Sequence, residues 1–365
     1  MTRRSFLSLS AAAGAAAVLP QAFAAKPEEM CAVLLHLGHN MWCDWFPKEQ
    51  VPRMRELYPN WRTELTPVPD DELRTVDALW RETTDYAAKR GLNAVIIDIG
   101  EGLVFPSHPE IAVRGSWSPD KLRDELWRLR KLGLEPIPKL NFSTRHNGWM
   151  GEFRRMVSST PYYRFCEDLI RDVAEIFETP RYFHVGYDEE GPGLAYSPRC
   201  LYASLRKGEL WWHDFLHVVA ATEKCGMRPW AWNDYGWEHS AEYLKRCPKS
   251  VLQCSWYYDE ENAGFDPATN KTADLKRLQA FWDLENAGFD QTPCGTNWAA
   301  PKRAEAGVGA DDVMGKLVEL GRKVIAPERL KGFVMASWRA CDTRENVEFV
   351  KRGIDLLAEA VCRGV

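Results

Sequence analysis

Short apolar runs recur along this chain, each bounded by Gly, Pro, Asn or Asp. Each is followed by a segment whose apolar residues return at three-and-four spacing. A run of four to eight apolar residues between turn signals reads as a buried strand, and a 3.6-residue period reads as an amphipathic helix. The strands fall at 32–37, 94–99, 136–140, 182–187, 228–232, 251–256, 292–296 and 332–338. The third contains Pro136 and Pro138, which weaken it, because proline cannot donate to a strand ladder. Helices are predicted over 71–89, 162–177, 210–224, 241–246, 273–286, 310–322 and 346–360. One more opens at Ser118-Pro119-Asp120 and stops at Gly133, with a cap, a first-turn proline and a terminal glycine.

Eight strand–helix units without a composition break predict a single (β/α)8 TIM barrel. An open doubly wound sheet would need a glycine-rich turn after the first strand, and Gly38 alone does not make one. The longest stretches without periodicity, 43–70, 99–117 and 188–207, all follow strands. In a barrel such loops form the carboxyl-end face, where sites are built.

The first residues belong to a different pattern. Arg3-Arg4-Ser5-Phe6-Leu7 precedes an Ala-rich apolar stretch and then Ala22-Phe23-Ala24, a small-x-small cleavage pattern. This resembles a bacterial twin-arginine export signal. It implies a cleaved segment 1–24, a mature domain 25–365, passage through the twin-arginine translocation machinery, and a periplasmic or secreted location. The apolar stretch is too short for a stable membrane anchor.

Composition narrows the partners. The net charge of −5 and the absence of a basic stripe argue against nucleic acid. The ten cysteines show no C-x-x-C pair and read mostly as small buried hydrophobes, Cys254 and Cys362 among them. Sixteen tryptophans provide flat apolar faces for ring-shaped ligands.

The fourth strand runs into Asp188-Glu189-Glu190 and Gly191-Pro192-Gly193. Three carboxylates where a buried strand ends are costly unless solvated or functional. The run His184-Val185-Gly186-Tyr187-Asp188-Glu189 resembles the His-x-Gly-x-Asp-Glu signature of glycoside hydrolase family 20, the β-N-acetylhexosaminidases. That family is a (β/α)8 barrel with the Asp-Glu pair after its fourth strand. Gly133 to Pro138 is similar to its third strand, with Asn141 and Arg145-His146 near its acidic strand end and Gly-His turn. Trp232-Asn233-Asp234, Gln253 to Trp256, and Trp338 resemble its fifth, sixth and eighth strand ends.

Departures touch sugar recognition. The family's arginine after the first strand is replaced by Gly38-His39-Asn40-Met41-Trp42, and its Tyr-x-Asp after the seventh by Asn297-Trp298. Tyr257-Tyr258-Asp259 follows the sixth instead, and Ala340 stands where an acid is expected.

The resemblance implies substrate-assisted hydrolysis of glycans ending in N-acetylhexosamine, with no cofactor and no metal. Glu189 would be the acid and then the base, kept protonated by its acidic neighbour, and Asp188 would orient the acetamido group. Trp232, Trp256 and Trp338 would wall the pocket, and Asp234 would bind a hydroxyl or cap a helix. Tyr257 or Tyr258 would reach the acetamido oxygen. His184 would support Asp188, and His146 would pair with the carboxylates. Asp98 and Glu101 would bind hydroxyls or cap the next helix. Asp188 and Glu189 reach one pocket only if the chain bends there; in an extended chain Glu190 becomes the rival acid. Three other readings stand: a retaining glycosidase using Asp234 or Asp259 as nucleophile, a metal hydrolase using His36, His39 and Asp98, and an inactive sugar-binding barrel.

Overall fold

A computed structural model describes residues 29–43, 56, 69–190, 206–258, 275–298 and 313–362. The strands are β1 (Met30–His36), β2 (Ala94–Asp98), β3 (Glu135–Lys139), β4 (Tyr182–Gly186), β5 (Arg228–Trp232), β6 (Leu252–Cys254), β7 (Cys294–Gly295) and β8 (Gly332–Ala340). They pair in parallel in the order β6-β5-β4-β3-β2-β1-β8-β7. Parallel bridges Gln253–Gln291 and Trp256–Cys294 join β6 to β7 and close the cylinder. A helix follows each strand: α1 (Asp77–Lys89), α2 (Pro119–Lys131), α3 (Thr160–Ile176), α4 (Glu209–Lys224), the pair α5 (Tyr235–Glu238) and α6 (Ser240–Arg246), α7 (Lys276–Asn286), α8 (Val313–Val324) and α9 (Arg344–Cys362). The fold is the (β/α)8 barrel that the periodicity predicts. Export residues 1–24, Cys200 and Asp259 lie outside the described residues.

Local chemistry accounts for most boundaries. Ser118 caps α2 by accepting the Lys121 amide at 3.2 Å, and Ser159 caps α3 through Tyr162. The first helix starts later than its periodicity, because 71–73 are drawn into a bridge between Glu72 and Arg114. The prolines of β3 explain its loose seam. Glu135 and Ile99 N–H groups join β3 to β2, whereas Leu140 donates across to His184 on β4. Pro136 and Pro138 share Leu140's parity, so their missing N–H groups would have faced β4. Lys139–His184 is the one register pair on that side.

Alternation sorts the strand residues into two cores. Ala32, Leu34, Ala94, Ile96, Ile137, Trp230, Leu252 and Val334 fill the barrel. Their neighbours Val33, Leu35, Val95, Ile97 and Phe183 face the helices. The same parity carries inward the polar side chains at the carboxyl ends: His36, Asp98, Lys139 and His184 occupy one register row across β1 to β4. The eight cysteines described are free thiols, six of them buried. No described helix is long and apolar enough to cross a membrane.

Candidate active site

The chain bends sharply at the end of β4. Gly186, Tyr187 and Glu189 have φ of 75°, 73° and 60°, so three of four consecutive residues are left-handed. Such conformations cost about 1–3 kcal/mol each in non-glycine residues and persist only where surroundings enforce them. At Gly186 the enforcement is steric: a Cβ there would lie 2.1 Å from Asn141 Oδ1. That close approach lets Asn141 donate from Nδ2 to Asp188 Oδ1 at 2.8 Å and accept the Ser143 amide at 3.0 Å.

The bend brings Asp188 and Glu189 to one partner. His146 Nε2 stands 3.3 Å from Asp188 Oδ2 and 3.1 Å from Glu189 Oε2. Burial alone would favour a neutral ring, but the flanking carboxylates raise the His146 pKa to about 10. Burial also opposes ionisation of Asp188, yet His146, Lys139 and Asn141 hold it well below the usual carboxylate range. Glu189 is likewise lowered: against burial, His146 and Arg145 stabilise its charge. This corrects the expectation that an acidic neighbour keeps Glu189 protonated, since two cations outweigh one anion.

Beside this pair stands an acid whose pKa rises, Asp234. Burial and the charge of Asp188 push it to about 8. Its Oδ2 accepts the Glu189 amide at 2.6 Å, which helps fix the bend. It stands at the N-cap of α5 but makes no capping hydrogen bond.

Glu190 is excluded as the rival acid. Its Oε1 accepts the Thr144 amide at 2.6 Å, and both oxygens meet the buried Arg206. Arg206 also holds Asp214 at 3.1 Å and donates to the Phe142 carbonyl at 2.9 Å. Glu190 is thus an anchor that ties the bend to α4.

The floor is a second polar group. Lys139 Nζ lies 2.6 Å from Asp98 Oδ2, and His36 Nδ1 lies 3.2 Å from the same oxygen. Burial resists the charge of Asp98, but Lys139 and His36 bring its pKa to about 2. Asp98 is therefore committed to an ion pair and does not cap α2. Glu101 folds back instead, accepting the His39 and Asn40 amides at 2.6 and 3.0 Å. His184 accepts the Gly186 amide at 3.1 Å on Nδ1 and makes no hydrogen bond to Asp188, which corrects its expected role.

Aromatic rings form the wall. Trp232 packs against His184 at 4.6 Å and Trp338 at 6.2 Å between centroids. Trp338 has a φ of 54° within a register shift of β8, so a bulge turns its side chain to the mouth. Trp42, which the sequence gives no role in the wall, lies 6.1 Å from Trp338. Trp256 packs on Trp237 at 4.7 Å and Tyr258 at 5.1 Å. Alternation separates the tyrosines: Tyr258 packs on the inner cluster, whereas Tyr257 belongs to the outer one and does not face the pocket. Lys139 was also missed; a lysine closing an apolar strand was its signal. Among the described residues no three His, Cys, Asp or Glu side chains are grouped to hold a metal ion. His36 and His39 instead stack edge to face at 5.6 Å.

The chain is a barrel with paired acids after its fourth strand and indoles at its mouth. No protein-family model and no curated protein matches the sequence. Solved structures share the fold. The chain is similar to Dispersin B, at 17% identity over 79% of this chain and 95% of that one, with a TM-score of 0.51. It is similar to the family 20 exo-β-N-acetylglucosaminidase of Vibrio harveyi, solved with N-acetylglucosamine, at 16% identity over 91% of this chain, with a TM-score of 0.52. It is also similar to the β-N-acetylhexosaminidase of Bacteroides fragilis, at 11% identity over 91% of this chain and a TM-score of 0.57. It spans 54% and 65% of those two chains. At these identities the likeness carries the barrel and not the chemistry.

Proposed function

We propose that this chain is a glycoside hydrolase that releases β-linked N-acetylhexosamine with retention, the sugar's own 2-acetamido oxygen attacking the anomeric carbon. The observation that carries this reading is the His146 cation shared by Asp188 and Glu189. Glycoside cleavage needs a proton donor at the leaving oxygen and a nucleophile at the anomeric carbon. When the substrate supplies the nucleophile, one acid and one orienting carboxylate suffice. Asp188, ionised and steadied by Asn141, accepts the acetamido N–H and stabilises the oxazolinium charge. The proton that Glu189 delivers is stored on His146 and crosses 3.1 Å from Nε2 to Oε2. Glu189 then takes a proton from the water that opens the oxazolinium ring. Asp234, neutral at pH 7, is a poor nucleophile, which favours substrate assistance over a protein nucleophile. Trp232, Trp256 and Trp338 stack on pyranose faces. Two of the similar structures bear the names of enzymes acting on N-acetylglucosamine or N-acetylhexosamine, which supports the same reading.

The test is release of a chromogenic aglycone from matched β-N-acetylglucosaminide, β-N-acetylgalactosaminide and β-glucoside. Turnover of acetamido sugars alone, reduced about 10³-fold or more in Glu189→Gln, is expected. Turnover of the glucoside would instead point to a protein nucleophile, and binding without turnover to an inactive barrel. Export is part of the proposal and rests on Arg3-Arg4 and the Ala22-Phe23-Ala24 cleavage pattern. Cell fractionation with the paired arginines changed to lysine tests it; protein still reaching the periplasm would sink it.

A further inference from the structure

Arg145 has no task in that mechanism, and its position runs against it. Its Nε stands 2.9 Å from Glu189 Oε2, the oxygen that His146 also meets. Its Nη1 is buried without a hydrogen-bond partner. Guanidinium is a planar fork matched to carboxylate, sulfate or phosphate. One leg of this fork leans on the general acid, and another is left unused. A permanent cation beside a general acid opposes its protonation. The charged groups facing Glu189 are Arg145 and His146 from the segment after β3 and Asp188 beside it, and the titratable Asp234 faces it from the end of β5. Of the two cations, only His146 has a proton to give; arginine keeps its own.

We propose that Arg145 determines specificity by taking an anionic group on the leaving sugar, so that the substrate is a β-N-acetylhexosaminide linked to an acidic residue. The proposal rests on the functional reading above. Glu189 protonates the bridging oxygen, so the space beyond it from the anomeric carbon belongs to the leaving group. With its Nε 2.9 Å from the Glu189 carboxyl, Arg145 is assigned to that space by the proposal. An anion bound there replaces Glu189 in the fork, gives the orphaned Nη1 an acceptor, and draws the cation off the acid. Glu189 then accepts the proton of His146 more readily. One contact thus binds the substrate and arms the acid, and a neutral leaving sugar does neither.

The experiment titrates thio-linked, uncleavable disaccharides into the mature protein by calorimetry. N-acetylglucosamine is joined β to glucuronic acid, to 6-sulfated glucose, or to glucose. The uronic acid or the sulfated ligand should bind about tenfold or more tightly than the neutral one, and whichever leads identifies the anion. The preference should shrink at high salt. It should fall to about onefold in Arg145→Gln and be partly kept in Arg145→Lys, which retains charge without the fork. The kcat/KM values of the O-linked pairs should follow the same ratios. Equal binding by the wild type, a preference surviving in Arg145→Gln, or no binding of any disaccharide overturns the proposal. The two readings fail separately: hydrolysis without charge preference sinks this one alone, and charge preference without hydrolysis sinks the hydrolase reading.

Discussion

The end of β2 and the end of β4 each deliver two acids to the barrel mouth, Asp98 and Glu101 in one case, Asp188 and Glu189 in the other. At β2 every strong interaction points inward. Asp98 is held by Lys139 and His36, and Glu101 by two backbone amides. At β4 the carboxylates share a titratable imidazolium, and the Glu189 side chain keeps 26% of its exposure. A lysine satisfies a buried acid permanently, whereas a histidine satisfies it and can hand over a proton. The comparison teaches that partner identity and access to the mouth, rather than the number of acids, separate a structural end from a reactive one.

The comparison breaks most directly at Lys139. Removing one partner of a fully buried pair leaves an uncompensated charge and costs about 3–5 kcal/mol. Lys139→Met should therefore lower the thermal midpoint steeply, and adding Asp98→Leu should restore much of it, because two apolar side chains leave no orphan. A midpoint that does not move in Lys139→Met would mean that the β2 end is not an anchor.

His146→Gln should also cost stability, since Asp188 and Glu189 lose the buried cation they share, but its distinguishing effect is on the rate. Without the imidazolium, Glu189 is its own proton source and titrates as a carboxylate, far below the value of about 10 for His146. At pH 8 kcat should fall about a hundredfold. The alkaline limb of the rate profile should move to lower pH, and an unmoved limb would remove His146 from the proton path.

How much of this was legible in the sequence follows from what each element depends on. Strand and helix order rests on local periodicity, and all eight strand–helix units appear. The Asp188-Glu189 pair was legible because its six-residue run is contiguous. Its bend was legible only as a condition, since Gly186 permits a left-handed turn without requiring one. The ionisation states were not legible. They depend on Arg145, His146 and Lys139, which reach the acids across neighbouring strand ends. The Arg206 anchor on Glu190 was hidden because the two stand sixteen residues apart after β4, and Asp234 as the neutral acid because it reaches Glu189 from the end of β5.

Glu101 sharpens the contrast through pH. Burial, against the pull of the two amides, raises its pKa to about 7. A carboxyl raised on folding binds more protons in the native state, so its contribution is full below pH 4 and lost as pH climbs through 7. Asp98, lowered to about 2, acts oppositely: its contribution is present above pH 4 and lost as pH falls through 2. Glu101→Gln keeps an oxygen for both amides and cannot ionise. It should stabilise the protein at pH 8 by about 2–3 kcal/mol and leave pH 4 nearly unchanged. Equal melting shifts at the two pH values would show that Glu101 does not titrate in this range.

The smallest effect separates two adjacent tyrosines. Tyr258 packs on the inner cluster and its phenol is hydrogen-bonded with Trp338, whereas Tyr257 packs among the outer residues against the helices. Tyr258→Phe removes a polar group from the wall that holds Trp338 toward the mouth, so KM should rise a few-fold, equivalent to about 1 kcal/mol. Tyr257→Phe changes a group that never faces the sugar, so its effect should appear in the melting curve and not in KM. A KM change in Tyr257→Phe that matched or exceeded that in Tyr258→Phe would reverse the inside–outside assignment at the end of β6. It would also give the acetamido contact to Tyr257, one of the two tyrosines that the family resemblance offers for it.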